Sequence, residues 1–209
     1  MPNNLKPKQD SLMLTRRSFG AGLAAGTGFL AFALPVRALT VDQARGLIDK
    51  AISEVNATIN SGKSEQQMFG DFERIFATYA DVSAIARSAL GTAAKTATPA
   101  QMTAFTQAYQ GYISRKYGRR FREFIGGKIE VTDAKPYKSY YEVISTATLQ
   151  GQAPFDLRWW VGDKSGRQLF FNIIIEGVNM LASERTEVGA LLDANGGDLN
   201  KLIATLKTS

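Results

Sequence analysis

The sequence predicts an α+β protein in which helices lie on one face of a curved antiparallel sheet of about four strands. Three observations carry this expectation. Apolar residues repeat with helical spacing at both ends of the chain after residue 38, and every segment of period two lies between those ends. The strand segments follow one another through short links, which favours antiparallel pairing. Helices and strands kept apart along the sequence pack as separate layers rather than as alternating βαβ units.

Each element has its own signal. Val41, Ala44, Ile48, Ala51, Ile52, Val55 and Ile59 form an apolar helical stripe, opened by Thr40 with Gln43 as a capping box and closed by Gly62. Ser64 with Gln67 opens a second helix carrying Met68, Phe72, Ile75 and Phe76, and Asp81 opens a short third one that stops at Gly91. Thr98-Pro99-Ala100-Gln101 combines an N-cap, a proline at the first helical position and a capping box; the helix it starts is expected to run to Ile125, before Gly126-Gly127. Period two then appears at Ile129 and Val131, at Tyr141, Val143 and Ser145, at Phe155, Leu157, Trp159 and Val161, and at Leu169, Phe171, Ile173 and Ile175. Residues Gly162 to Gly166 read as the hairpin between the last two strands. Helical spacing returns from Met180 to Leu192 and, after Gly196-Gly197 with Asp198 as N-cap, from Leu199 to Leu206.

Residues 1–38 read differently. Arg16 and Arg17 precede Ser18-Phe19 and a weakly apolar stretch from Gly20 to Leu34, which resembles a twin-arginine export signal, and Val36-Arg37-Ala38 suits cleavage before Leu39. A plain amphipathic or anchoring N-terminus is the alternative. Cleavage would remove Lys6, Lys8, Arg16, Arg17 and Arg37 with one acid, Asp10, taking the formal net charge of +6 to about +2. The basic balance that would point to nucleic acid therefore belongs mostly to the signal. Residues 39–209 form one domain on this reading, long enough to bury roughly 70% of its unfolded surface without disulfides.

The 209 residues contain neither cysteine nor histidine. Thiol nucleophiles, disulfides, thiolate metal sites, histidine general bases and the usual axial ligands of haem are all excluded, and no cofactor is expected. What remains is aromatic. Phe105, Tyr109, Tyr112, Tyr117, Phe121 and Phe124 recur along the long helix; Tyr117, Phe121 and Phe124 share a face, with Arg115, Arg119 and Arg122 opposite. This face either fills a core or walls an apolar cavity, and the basic back is either solvated or a partner surface. Glu176, following Ile173-Ile174-Ile175, is the best candidate for a carboxylate base, with Asp156 as a second.

Ile175-Glu176-Gly177-Val178-Asn179-Met180, then Ser183-Glu184-Arg185-Thr186-Glu187, then Gly197-Asp198-Leu199 with Leu202-Ile203 and Leu206, resemble the MlaC family. Upstream, Asp81 with Ile85-Ala86-Arg87, Leu90-Gly91, Thr98-Pro99-Ala100-Gln101 and the Phe105, Tyr109, Tyr117 series are similar to that family's helical half. Three positions depart from its pattern: Gln168 stands where a tryptophan is usual, Asn172 near a usual aspartate, and Asn179 at a usual serine. The export signal departs too, since the family commonly uses the general secretory route.

The resemblance implies an NTF2-like or cystatin-like fold enclosing an apolar cavity and a non-enzymatic periplasmic carrier of glycerophospholipid. It further implies shuttling between an outer-membrane lipoprotein–porin complex and an inner-membrane ABC transporter containing an MCE-domain protein, maintaining outer-membrane lipid asymmetry. Face and aromatic size select Phe72, Phe105, Tyr109, Tyr117, Phe121, Val143, Trp159, Phe171 and Ile173 as expected lining of a lipid cavity. Two rival readings are an NTF2-like enzyme acting on a small ligand through Glu176 or Asp156, and a module binding anionic partners through Arg115, Lys116, Arg119, Arg120 and Arg122.

Overall fold

The computed structural model describes residues 39–119 and 123–209. The expected signal and its cleavage site, together with Arg120, Phe121 and Arg122, lie outside the described residues. Four helices come first, α1 (Val41–Ile59), α2 (Glu65–Tyr79), α3 (Val82–Leu90) and α4 (Pro99–Gly118), with a 3-10 turn over Gly91–Lys95. The strands follow as β1 (Lys128–Tyr137), β2 (Tyr140–Thr148), β3 (Phe155–Gly162), β4 (Leu169–Ile175) and β5 (Val178–Asn179), and α5 (Met180–Ala194) and α6 (Leu199–Thr208) close the chain. The sheet is an antiparallel meander in the order β1-β2-β3-β4-β5. The α+β architecture expected from the sequence is the one observed, with a short fifth strand added.

Local chemistry sets the helix starts. Thr40/Gln43, Ser64/Gln67 and Thr98/Gln101 each form both halves of a capping box, and Asp81, Asn179 and Asp198 cap α3, α5 and α6 with their side chains. The end of α4 differs from expectation: the helix stops at Gly118, not Ile125. Gly118 passes so close to the Phe69 ring that a Cβ there would stand 2.5 Å from it, and glycine supports helix poorly.

Two β-bulges reshape the sheet. In β1, Thr132 is an extra residue between the pairs Val131↔Ser145 and Asp133↔Ile144, so the alternation that begins at Ile129 breaks, and the strand continues to Tyr137 beyond the segment its pattern marks. In β4 the register shifts between Trp160↔Asn172 and Val161↔Phe170. Phe170 therefore joins Trp159 on the inner, helix-covered face, their rings 5.3 Å apart and edge-on, and also meets Phe76 of α2. Phe171, expected to share a face with Ile173, instead packs on the outer face against Tyr140 and Trp160. Two consecutive residues opposite one partner cannot both keep the alternation, which is why the bulge separates Phe171 from Ile173.

Helix α1 lies over β1 and β2. The Asn56 amide donates to the Ile129 carbonyl (3.1 Å) and its oxygen accepts from the Ile129 N–H (3.4 Å), satisfying the outer edge of β1. Helices α4 and α6 are joined at both ends, by Gln101 to Asn200 (3.4 Å) and by Arg115, which donates to the Leu206 and Ser209 carbonyls at 2.6 and 2.8 Å. Arg115 thus terminates α6 as a C-terminal cation should.

Candidate ligand cavity

The inner face of the sheet and the helices do not close against each other. Between them is a cavity of about 860 Å³, at the upper end of the roughly 300–1,000 Å³ typical of small-molecule sites. Leu157, Trp159 and Ile173 form its floor, Phe72 and Ile75 of α2 and Tyr109, Ile113 and Tyr117 of α4 its roof. It reaches the surface at Glu123, Glu176, Val178 and Ser183, all exposed. Val178 and Ile125, the latter beside the lining residue Phe124, are large apolar side chains more than half exposed (54% and 51%).

Of the nine side chains selected from sequence, Phe72, Tyr109, Tyr117, Trp159, Phe171 and Ile173 border this cavity, Phe171 while also packing against Tyr140 and Trp160. Phe105 and Val143 are not among the side chains that border it. Phe105 is fully enclosed in the helical layer, stacked on Tyr109 with ring centroids 5.7 Å apart. Val143 is fully buried because α1 packs directly over β2, leaving no space beneath it. Phe121 lies outside the described residues. Trp159 is held in place by a hydrogen bond from its indole N–H to the buried Ser145 hydroxyl (2.9 Å).

The roof also carries a polar cluster that the sequence analysis did not assemble. Lys116 donates to Glu184 (2.7 Å) and Glu187 (2.5 Å), Tyr117 donates to Glu184, and Tyr112 donates to Glu187. The lysine ammonium also sits 5.3 Å from the Tyr117 ring and 5.6 Å from the Tyr112 ring, within cation–π range. The cluster runs inward from Glu187, whose side chain is 43% exposed, to Glu184 at 5%. Burial raises the energy of the Glu187 carboxylate, yet the hydrogen bonds from Lys116 and Tyr112 more than offset it, and its pKa lies below the ordinary value. Burial, and then the nearby Glu184 charge, keep the Tyr109 hydroxyl protonated far above the usual phenol range; burial and the bond to Glu187 do the same for Tyr112. The Tyr109 hydroxyl and the Glu184 Oε2 are buried without a hydrogen-bond partner among the described residues. A signal for Glu184 exists in the sequence: it falls three residues after Leu181 and four before Val188, on the apolar stripe of α5.

Glu176 is exposed, at φ +49° with Gly177 at φ +82°, in the two-residue turn joining β4 to β5. Asp156 is exposed too and does not line the cavity. Neither is enclosed in apolar surroundings. In the basic patch, Arg115 caps α6 and Lys116 is bound by two glutamates, so two of its five cations are already engaged within the protein.

Comparison with known proteins agrees with this architecture. The chain is 24% identical over 165 residues to the toluene tolerance protein ttg2D of Pseudomonas putida, a match covering 78% of this chain and 77% of that one. A phospholipid-binding protein from Ralstonia solanacearum, solved in complex with a phospholipid, shares the fold with a TM-score of 0.67 at 19% identity, over 79% of this chain and 95% of the other. Residues 47–208 match the family described as MlaC protein. The chain belongs to the MlaC family.

Proposed function

We propose that this protein is a phospholipid carrier that holds acyl chains in the cavity between sheet and helices and leaves the headgroup near the mouth. The observation that carries the reading is the cavity itself, about 860 Å³ and walled mostly by Phe, Ile, Leu, Trp and Tyr side chains. A soluble carrier must replace what a bilayer gives. Two acyl chains of about 15 methylenes each, at about 0.8 kcal/mol per methylene, represent roughly 24 kcal/mol of apolar transfer that only a dry cavity can offset. The related protein solved with a phospholipid has the same fold. The exposed Val178 at the mouth, with Ile125 near it, suits a rim that touches a membrane-bound partner while lipid passes.

On this reading the chain works in the periplasm, exported by the signal in residues 1–38. It passes glycerophospholipid between an outer-membrane lipoprotein–porin complex and an inner-membrane MCE-domain ABC transporter, and so maintains outer-membrane lipid asymmetry. Binding is its task, with no catalytic step and no role for nucleic acid. Native mass spectrometry of the purified protein tests the central point: co-purifying phospholipid is expected, and protein that stays empty after incubation with phospholipid vesicles overturns the reading. Ile173→Asp, which places a charge on the cavity floor, is expected to abolish lipid retention while Phe171→Asp, on the outer face, weakens it less.

A further inference from the structure

Leu39, the residue that the expected cleavage leaves first in the chain, is tied into the domain by side chain, carbonyl and nitrogen alike. Its side chain is 5% exposed and belongs to the core. Its carbonyl accepts from the Tyr141 hydroxyl of β2 (2.6 Å), and its N–H donates to the Asp163 carboxylate (3.3 Å). Asp163 lies far along the chain, in the turn between β3 and β4, where its own carbonyl accepts from the Gly166 N–H (2.9 Å) and fixes the turn. Neither Leu39 nor Asp163 is among the residues that border the cavity, so lipid binding does not account for the contact.

Cleavage changes what stands at that nitrogen. In the uncut chain it is a neutral peptide N–H; in the cut chain it is an α-ammonium, mostly protonated at neutral pH because its ordinary pKa is about 7.7–8.0. The position is poor for a bare cation. Thr40 caps α1, and the free N–H groups of the first turn give that end of the helix a partial positive charge. Asp42 in the first turn is one counter-charge, and Asp163 is the carboxylate that reaches the nitrogen itself. The buried Leu39 side chain and the Tyr141 bond already fix the backbone here, so the pair forms with little of the ordering cost that weakens most surface ion pairs.

We propose that Asp163 is the binding site for the amino terminus created at Leu39 by removal of the signal, so that processing converts a neutral hydrogen bond of the precursor into an ion pair of the mature protein. The new end is thereby held against the β3–β4 turn and α1 starts from a seated residue. The proposal rests on the export part of the reading above and not on the lipid.

Two measurements test it. The full chain is expressed in a Gram-negative host, and the intact mass of the periplasmic protein is expected to correspond to a start at Leu39. Exported protein that starts elsewhere overturns the ion pair and leaves export standing, whereas protein that keeps residues 1–38 overturns both. Urea denaturation near pH 7 then compares the chain starting at Leu39 with one carrying Gly-Gly before Leu39, which moves the ammonium away and restores the neutral N–H. Asp163→Asn keeps an oxygen that accepts and removes only the charge. It is expected to raise the unfolding equilibrium constant about fivefold in the chain starting at Leu39 and less than about twofold in the extended chain. An equal effect in both chains reduces Asp163 to an acceptor for a neutral N–H and overturns the proposal, and so does the absence of an effect in either.

Discussion

The outer face of the sheet and the roof of the cavity each bury one glutamate, Glu142 and Glu184, to the same 4% exposure, and they treat it differently. Glu142 lies in a filled surface, between Lys135 (3.6 Å) and Arg158 (3.9 Å) and beside an aromatic cluster in which Tyr137, Tyr140, Trp160 and Phe171 rings stand 5.0 to 6.2 Å apart. Two cations face one acid there. In the roof the proportion is reversed: among the described residues one lysine serves Glu184 and Glu187, and one Glu184 oxygen has no hydrogen-bond partner. Equal burial thus says little about role. A carboxylate matched by cations closes a surface, whereas one short of donors holds a polar atom buried at a cost in stability.

Substitutions can break or sharpen this contrast. The largest effect is expected at Trp159→Ala, where a buried ring is lost next to an existing cavity, at about 4 kcal/mol in urea denaturation. Its neighbour Trp160 on the outer face is half-buried and its indole N–H has no partner among the described residues, so Trp160→Ala should cost about 2 kcal/mol, and equal losses would erase the distinction between the faces.

Next comes Lys116→Met, which leaves two carboxylates without their cation and should destabilise by about 3 kcal/mol near neutral pH. The sign of its pH dependence follows from Glu187, whose folded pKa is depressed. Its stabilisation is present above the unfolded carboxylate value of about 4.3 and is lost as pH falls through the lower folded value. Denaturation curves of the two proteins should therefore converge toward pH 3, and a gap that stays constant from neutral pH downward would count against the ion-pair account.

Asn172→Ala is expected to cost about 2 kcal/mol, because the Asn172 side chain accepts from the Leu181 N–H (3.1 Å) and donates to Asn179 (3.0 Å) at the start of α5. Hydrogen exchange should show the first turn of α5 opening, and unchanged protection there would refute the role. The smallest effect is Glu142→Gln, about 1 kcal/mol or less, since its cations are half exposed and distant; a loss as large as that of Lys116→Met would make the two glutamates equivalent after all.

The boundaries written into local chemistry were legible in advance. Thr40, Ser64 and Thr98 announce helices because a side-chain oxygen three residues before a Gln satisfies free N–H groups wherever the helix is placed. The strands of the meander were legible from alternation as far as the bulges, and Trp159 and Ile173 on the cavity floor came from the same alternation. Phe171 changes face relative to Ile173 because a bulge adds a residue without any mark in composition. Phe105 sits in solid packing while Tyr109 borders the cavity, because one helical stripe can face filled core at one end and empty space at the other.

The sequence by itself determined the α+β order, the caps, the absence of cysteine and histidine chemistry and the family. Those depend on residues a few positions apart, or on what the chain lacks. Only the tertiary structure decided that a cavity exists, and that Lys116 of α4 meets Glu184 and Glu187 of α5, about seventy positions away along the chain. Periodicity reports which side of an element is apolar. Whether two apolar sides touch or stand apart depends on the distance between them, and no single element encodes that distance.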